Sequence, residues 1–400
     1  MPEQSQLPPL PRPYPHLRVG FLGATPLPQG AGTHIDLAGA DIEQVLARGL
    51  DAVIVGSTGS DDAISPELLE VLIACESAAV PMVLRATQPS DLDSPVAAVV
   101  SQIAAETPEL YELTLSQVGP ERAFLIEPVI DAAEVLTAPS ADKAEQNSLA
   151  DITRRRTQVA EHSPASQARS FVEFLGLPTE HETLVTAVII SRHAKNLDST
   201  LENLRRQNYP NIDPLLVIDP LYEQTARDAV TEWDIPVRVV VSPPRPTAAD
   251  RLNLGVHHAH GSIIAVIEET GLYGPDYLTD QVQALTHSGA HLVGKASWYV
   301  WDADPQRSVV HAGAKQRRFD QIPALGTMVF HRETAAALGF VRRGPATNQV
   351  FAEAIRARNG MVFVSHAYDT VLLQKGQTLA DLGESALNMA ESNPSPRQER

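Results

Sequence analysis

The chain has 400 residues, of which 43% are hydrophobic and 20% charged, and its formal net charge is −18. This length predicts two or three globular domains rather than one core, and so acidic a surface argues against nucleic acid as a general partner. A single cysteine, Cys75, excludes an intramolecular disulfide, and no apolar run reaches the ~20 residues of a membrane helix, so we expect a cytoplasmic protein.

The first part of the chain predicts a parallel, Rossmann-like sheet. Residues 1–16 are proline-rich without the apolar core of a signal peptide, so we expect a flexible tail there. From residue 17 to 136, helical patterns separate the predicted strands LRVGFLG, DAVIVGS, VPMVLRA, PVAAVVS and AFLIEP. Strands that are apolar throughout and alternate with helices are typical of parallel sheets covered on both faces.

Residues 137–183 are predicted to connect two domains. The segment is polar and carries the run Arg154-Arg155-Arg156 before the short bridging helix RSFVEFLGLP. A linker or solvated helix is one interpretation of the arginine run, and a phosphate-facing patch is the other. Residues 376–400 are polar throughout and are expected to form a second flexible tail.

Residues 184–375 predict a second α/β domain with a mixed sheet. Four strand candidates, LVTAVIIS, PLLVID, VRVVVS and SIIAVIE, alternate with helices and should be mostly parallel. Three later candidates, HLVGKASWYVW, GTMVFH and MVFVSH, come closer together. Ligands of open α/β sheets bind at the carboxyl ends of the strands, so the residues that end the first four strands are candidate contacts.

The second domain resembles the nucleotide-sugar half of a family 2 glycosyltransferase with the GT-A fold. The similar segments are VIISRHAKN, RRQNYPNI, LLVIDP, ADRLNLGVHHAHGSIIAVIEE and LYGPDYL. The resemblance implies that a nucleotide is bound by Ser191, Arg192, Asp219, Arg251 and Asn253. It also implies a Mg²⁺ or Mn²⁺ ion held by Glu268 and Glu269, because hard cations prefer carboxylate oxygens.

The sequence departs from the family pattern where the acids are expected. Thr270 and Gly271 replace later acidic residues of the metal motif. Where the family has a catalytic carboxylate, the chain reads Arg343-Gly344-Pro345-Ala346-Thr347-Asn348, so Glu353 is the candidate base that remains. His257, His258 and His260 could bind a metal, although histidines on an amphipathic helix are more often surface residues.

The first domain resembles the CgeB-type half of a GT-B glycosyltransferase. The similarity lies in VGPERAFLIEPVIDAAEV, with Pro128 and Asp131 matching a Pro-x-x-Asp pattern. A dinucleotide oxidoreductase is disfavoured because FLGATPLPQGAG lacks the spacing G-x-G-x-x-G.

Together the two resemblances imply a bacterial glycosyltransferase with atypical metal and base positions. It would transfer a sugar from a nucleotide-diphosphate donor to a glycan or cell-surface precursor. The alternative is a non-catalytic, degenerate glycosyltransferase that binds a nucleotide, a glycan or a protein partner, which could be another glycosyltransferase or a second copy of the chain. The carboxylates available around residues 268–271 and 343–353 distinguish these two functions.

Overall fold

The protein, examined as a computed structural model, is an α/β protein that divides into two compact units. The structure describes residues 6–56, 64–138, 148–179, 182–191, 196–231, 233, 235–300, 309–341 and 346–372. The N-terminal unit comprises the described residues of Pro11–Asp131 and Gln158–Glu180, and the C-terminal unit those of Met1–Leu10, Ala132–Thr157 and His181–Arg400. Two segments discussed above lie outside the described part, namely residues 192–195, which include Arg192, and residues 342–345, which include Arg343. The residues after 372 also lie outside it.

The N-terminal unit is built on a parallel sheet, as the sequence predicts. Its strands are β1 (Arg18–Leu22), β2 (Thr33–Asp36), β3 (Ala52–Gly56), β4 (Met82–Ala86), β5 (Gln102–Ala105) and β6 (Ala123–Leu125). They lie side by side in the order β2-β1-β3-β4-β5-β6, and every pair is parallel. Its connecting helices are α1 (Ile42–Ala47), α2 (Pro66–Ser77), α3 (Pro95–Val99) and α4 (Pro108–Val118).

The segment PVAAVVS is a helix, and its prediction as a strand is wrong. The Ser94 hydroxyl accepts the Ala97 amide at 3.3 Å, and Pro95 occupies the first turn of α3. A serine cap followed by proline favours a helix start, and these two local signals outweigh the apolar composition of the run.

Residues predicted to be a tail or linker contribute to the N-terminal core. Tyr14 is buried in the cluster that contains Val19 and Ile54. In chain order, the helices that follow β6 are α5 (Ala132–Thr137), α6 (Leu149–His162) and α7 (Pro164–Phe174). Phe171 of α7 is fully buried in the same cluster as Tyr14.

The C-terminal unit contains the mixed sheet that the sequence predicts. Its strands are β7 (Val185–Ile190), β8 (Ile212–Ile218), β9 (Arg238–Val241), β10 (Ile263–Glu268), β12 (Leu292–Gly294), β15 (Val329–His331) and β16 (Val362–Val364). Their order is β16-β12-β15-β10-β7-β8-β9. Only β15 runs antiparallel to its neighbours among these described strands, so the other six end at one edge.

Helices cover both faces of this sheet. They are α8 (Leu197–Arg205), α9 (Glu223–Thr231), α10 (Ala248–His258), α11 (Tyr277–His287), α12 (Arg332–Leu338) and α13 (Thr347–Arg356). One face buries apolar residues of α8 and α11, and the opposite face buries those of α10, α12 and α13. In the described part of the chain, no helix has both the length and the apolar composition that crossing a membrane requires.

A smaller sheet accompanies the mixed one and corrects a second prediction. It contains β11 (Gly271–Tyr273), β13 (Trp298–Val300), β14 (Val309–His311) and β17 (Thr370–Leu372). The segment HLVGKASWYVW, predicted as a single strand, forms β12 in the large sheet and β13 in the small one. Lys295 lies in the segment that joins these two strands, and its side chain is completely buried.

Candidate functional site

Three predicted site segments meet at one edge of the mixed sheet. Strand β7 lies between β8 and β10, both parallel to it, and Ile190 is in register with Val217 on one side and Glu268 on the other. Ser191, Asp219 and Glu268 therefore stand at the carboxyl ends of three adjacent strands, as the sequence predicts. This is the edge at which open α/β sheets bind their ligands.

Ser191 and Glu269 form a buried pair at this edge. The Ser191 hydroxyl donates to Oε2 of Glu269 at 2.6 Å, and both residues are buried. A hydroxyl that is fully buried and engaged with a carboxylate fixes the end of β7 against the turn after β10. The Ser191 side chain therefore helps to position the strand end, and the direct nucleotide contact that the resemblance implies stays a prediction.

Glu268 is partly exposed and its backbone is held by a tyrosine. The Tyr273 hydroxyl accepts the Glu268 amide at 3.1 Å and donates to the Gly326 carbonyl at 2.7 Å. A Cβ atom at Gly326 would lie only 2.7 Å from Cγ of Glu268. Glycine at 326 therefore leaves the space that the Glu268 side chain occupies at the sheet edge.

Asp219 makes one structural hydrogen bond and lies two residues before an exposed apolar side chain. Its Oδ1 accepts the Leu221 amide at 3.0 Å and so caps a short 3-10 helix over Pro220–Tyr222. Leu221, two residues further on, is 85% exposed, which is unusual for a large apolar side chain. Asp219 and Leu221 together offer a carboxylate and an apolar surface beside the end of β8.

Arg251 and Asn253, both on α10, do not share one role. Arg251 is buried one turn after the Thr247 cap, and Gly255, one further turn along, lies against Val188 of β7. The helix therefore directs Arg251 toward the carboxyl ends of the strands. Asn253 instead accepts the Phe340 amide and donates to the Phe340 carbonyl, each at 2.8 Å. Its amide group therefore joins α10 to the end of α12, and its assignment as a nucleotide contact stays a prediction.

Glu353 is badly placed for the base that the sequence assigns to it. It is exposed on α13 and accepts a hydrogen bond from Gln349 at 2.8 Å. Helix α13 precedes β16, so its first residue, Thr347, stands near the carboxyl edge. Glu353 lies six residues later, or ~9 Å further along the helix axis. This position lies away from the strand ends, and the assignment of Glu353 as the substitute base stays a prediction.

The described carboxylates do not form a metal cage on their own. No group of three or more histidine, cysteine, aspartate or glutamate side chains converges within the described ranges, and His257, His258 and His260 are exposed. Glu268 fits a different kind of site, in which one carboxylate holds Mg²⁺ or Mn²⁺ while diphosphate oxygens and water complete the shell. Glu269 fits less well, since Ser191 already donates to it.

A buried network of charged side chains lies on the other half of the same edge, and the sequence analysis missed it. Arg156 of α6 donates to Oδ1 of Asp280 at 2.6 Å and to its Oδ2 at 2.8 Å, and it also pairs with Asp276. His366, just after β16, lies 3.0 Å from Asp280. Arg156 is therefore neither solvated nor phosphate-facing, whereas the Arg154 side chain is 54% exposed, as the interpretation of a solvated helix expects.

The remaining arginines of the run also form internal pairs. Arg155 is buried, and both it and Arg154 donate to Oδ1 of Asp151, at 2.9 and 2.6 Å respectively. Arg317 approaches the other oxygen of Asp151 at 3.3 Å. The run therefore stabilises the C-terminal unit through aspartates of its own helix and of α11.

Lys295 is the buried cation at the centre of this network. Its ammonium group donates to the carbonyls of His366 at 2.8 Å and Tyr368 at 2.7 Å and lies 5.7 Å from the centre of the Tyr277 ring. Burial lowers the pKa of Lys295 to about 8, although nearby carboxylates oppose the shift. Burial, together with the charge of Asp280, raises the pKa of Asp369 to about 7.

The pKa values of His366 and Asp280 are both lowered, which favours a neutral imidazole and an ionised carboxylate. Burial and the charge of Lys295 lower the pKa of His366 to about 4, so its imidazole is neutral near neutral pH. Burial would raise the pKa of Asp280, but hydrogen bonds and charges from His366 and Arg156 outweigh it and lower that pKa. His366 therefore donates through Nε2 to an ionised Asp280.

A cavity of about 30 Å³ adjoins this network, lined among others by Arg317, Gln283 and His366. Within the described residues, Nη2 of Arg317 and Nδ1 of His366 are buried without a hydrogen-bond partner. A donor and an acceptor that face so small a cavity suit one or two ordered water molecules.

Strand-end position is the signal that could have revealed part of this network. Lys295 follows β12 and His366 follows β16 by two residues, at the same edge as Asp219 and Glu268. Their partners Arg156, Asp276 and Asp280 belong to helices distant in sequence, and no local pattern connects them.

Comparison with known proteins locates one family similarity in the C-terminal unit. Residues 186–339, less than half of the chain, match the family model described as "Glycosyl transferase family 2". No curated protein sequence matches the chain.

Three solved structures share partial similarity with this chain. The mannosyltransferase PcManGT from Pyrobaculum calidifontis, in complex with GDP-Man and Mn²⁺, shares 20% identity with a TM-score of 0.41, covering 53% of this chain and 61% of that one. S. aureus TarS 1–349 shares 13% identity with a TM-score of 0.36, covering 48% of this chain and 60% of that one. Its complex with UDP-GlcNAc shares 12% identity with a TM-score of 0.36, covering 49% and 60%.

The chain spans less than two thirds of the length of these three structures, namely 61% of one and 60% of the other two. All three TM-scores are low, so no conclusion about function rests on these likenesses. The family match stands on its own and covers Ser191, Asp219, Arg251 and Glu268. The segment that brings these residues to one sheet edge is thus the segment that is similar to family 2 glycosyl transferases.

Proposed function

We propose that the C-terminal unit binds a nucleoside-diphosphate sugar at the carboxyl edge of its mixed sheet and transfers the sugar to a glycan or cell-surface precursor. The observation that carries the proposal is that one segment, 186–339, both matches the family 2 model and contains the polar ends of β7, β8 and β10. The domain would then be of the GT-A type.

Each residue at the edge suits one part of such a ligand. Asp219 supplies a carboxylate for donors on the base or ribose, and Leu221 supplies exposed apolar surface for the flat base. Arg251 provides donors whose fork geometry suits a diphosphate. Glu268 would hold Mg²⁺ or Mn²⁺ together with the diphosphate oxygens, and the ion would neutralise charge on the leaving group.

The second candidate function is binding without turnover. Three observations favour it: Asn253 is engaged with Phe340, Glu353 stands away from the edge, and Glu269 accepts from the buried Ser191. Loss of a positioned general base typically costs ~10²–10⁴ in rate. Such a protein would act as a nucleotide- or glycan-binding scaffold, with a partner glycosyltransferase or a second copy of the chain completing the activity.

Several broader parts of the proposal rest on the sequence resemblance. They are the CgeB-type character of residues 17–136, a bacterial origin, a role in the cell envelope, and a cytoplasmic location. The domain limits expected at 17–136 and 184–375 and the tail expected at 376–400 belong to the same set.

A thermal-shift screen beside a donor-hydrolysis assay tests the proposal. UDP- and GDP-type nucleotide sugars, with and without Mn²⁺, should stabilise the protein, by ~2.7 kcal/mol at a ligand concentration 100 times Kd. Asp219→Ala should abolish the protection and Glu268→Ala should lessen it. Glu353→Ala, an exposed glutamate away from the edge, is the matched control and should change nothing.

The outcomes separate the two functions. Hydrolysis that disappears in Glu268→Ala supports a metal-dependent transferase. Protection without detectable hydrolysis supports the binding protein. If no nucleotide sugar protects the wild-type protein, nucleotide binding at this edge is excluded and the transferase with it, and the result favours a glycan- or partner-binding scaffold.

A further inference from the structure

The N-terminal sheet has its own ligand-binding position, because its strand order reverses at one point. From β1 the chain goes outward to β2 on one side and then returns past β1 to β3 on the other. In open parallel sheets the connections then leave on opposite faces, and a crevice opens at the carboxyl ends of the two central strands. Here that crevice lies beyond the ends of β1 and β3.

Two glycines keep this crevice open. Gly23 follows β1 with a φ of +63°, and nothing lies within 4 Å of the position that its Cβ would take. Gly56 ends β3, and a Cβ there would stand 1.8 Å from the Gly23 carbonyl oxygen. The backbone after β1 can therefore approach the end of β3 only because Gly56 carries no side chain, while Gly23 supplies the left-handed backbone conformation of the turn.

A polar cavity of about 210 Å³ occupies the crevice. Its lining includes Thr25, Arg85, Thr87, Gln88, Asp91 and Glu106. The volume corresponds to roughly seven liquid waters at ~30 Å³ each, which suits one small molecule and not a polymer.

A buried arginine organises the floor of the cavity. Arg85, which is 9% exposed at the end of β4, donates to Glu106 at 2.6 Å and to the Thr25 carbonyl at 2.8 Å. These bonds fix the guanidinium between the loop after β1 and the end of β5. Its position is therefore set before any ligand arrives.

The charges in the lining decide the class of ligand. Arg85 contributes one positive charge, while Glu106 and Asp91 contribute two carboxylates, so the cavity does not favour an anion such as a phosphate. The lining combines donors (Arg85) with acceptors (Glu106) and with hydroxyl and amide groups that do both. Hydroxyl groups of a ligand likewise donate and accept, so a neutral polyhydroxylated molecule matches this mixture.

We propose that the cavity at the carboxyl ends of β1, β3 and β4 binds a small neutral polyol of monosaccharide size. The site is separate from the nucleotide site proposed above and does not rest on it. It gives the N-terminal unit a binding role of its own.

Ligand-observed NMR on the full chain tests the proposal, with glucose, galactose, mannose, N-acetylglucosamine and myo-inositol as probes and inorganic phosphate as the anion. At least one neutral probe should bind. Thr25→Trp should fill the cavity from an exposed position and weaken that binding about tenfold or more, since several hydrogen bonds of ~1 kcal/mol each would be lost.

Thr33→Trp is the matched control, because Thr33 is an exposed threonine at the amino end of β2. It should leave the binding unchanged, and thermal unfolding should show that both variants fold. The proposal is overturned if no neutral probe binds, if Thr25→Trp binds as well as the wild type, or if inorganic phosphate is the probe that binds at this site.

Discussion

A buried lysine or aspartate is costly unless its surroundings supply partners, and Lys295 and Asp369 show two different solutions. Lys295 replaces water with two backbone carbonyls and the face of Tyr277. Asp369 instead resists ionisation, since burial and the neighbouring Asp280 raise its pKa to about 7. Each shift makes the stability of the folded protein depend on pH, and the two shifts act in opposite directions.

Asp369→Asn should remove one part of this pH dependence. Between pH 3.8 and about 7, Asp369 is protonated in the folded protein but ionised in the unfolded chain, where its pKa has the ordinary value of 3.8. Its contribution to stability is therefore full below pH 3.8 and is lost as the pH rises toward 7. Relative to Asp369→Asn, the wild type should lose roughly 1 kcal/mol of unfolding free energy per pH unit across this window.

Urea unfolding of both proteins between about pH 5 and about pH 7 measures this difference, because linkage relates its slope to proton uptake. The window stops there because Lys295, with a pKa of about 8, begins to titrate above it. Parallel stability curves for the two proteins would mean that Asp369 ionises normally in the folded state.

At the scale of elements, the sequence predicts most helices and strands, and its errors have local physical causes. In α3, the Ser94 cap and Pro95 start a helix in a run that is apolar enough for a strand. The polar edge strand β2 lacks the apolar alternation on which strand prediction depends. The division of HLVGKASWYVW depends on the buried Lys295, whose partners are supplied by residues 366 and 368.

The contact between α10 and β7 has little tolerance for added volume. A Cβ at Gly255 would meet Cγ1 of Val188 at 2.5 Å. Gly255→Ala gains ~1 kcal/mol of helix propensity but overpacks the core at a cost of ~1–3 kcal/mol, so we expect a net loss of stability. In Gly255→Ala/Val188→Ala the clash is relieved, and the two changes should couple favourably by about 1 kcal/mol in a denaturant double-mutant cycle. Additive effects would show that the helix can move away from the strand without cost.

At the scale of the whole molecule, the sequence predicts two α/β sheets and where the first site residues lie, but not how the site is supported. Asp219 and Glu268 follow apolar strands, so their shared edge can be derived from strand order. Ser191 with Glu269, and Arg156 with Asp280, are pairs separated by 78 and 124 residues. Only tertiary packing brings such residues together, which is why the sequence signals no more of the buried network than the strand-end positions of Lys295 and His366.

Hydrogen exchange can show whether ligand binding maps to the edge that this architecture defines. Each sheet has one carboxyl edge, and binding there should slow exchange in the turns that follow the strands. A UDP- or GDP-type nucleotide should protect the amides of residues 219, 221, 222 and 269–271, and Asp219→Ala should abolish this effect. The amides of residues 182–184, 209 and 211, which precede β7 and β8 at the amino edge of the same sheet, are the internal control and should be unaffected. Protection at the amino edge, or at both edges equally, would indicate global stabilisation or a different site, and the nucleotide position proposed from Asp219, Arg251 and Glu268 would have to be abandoned.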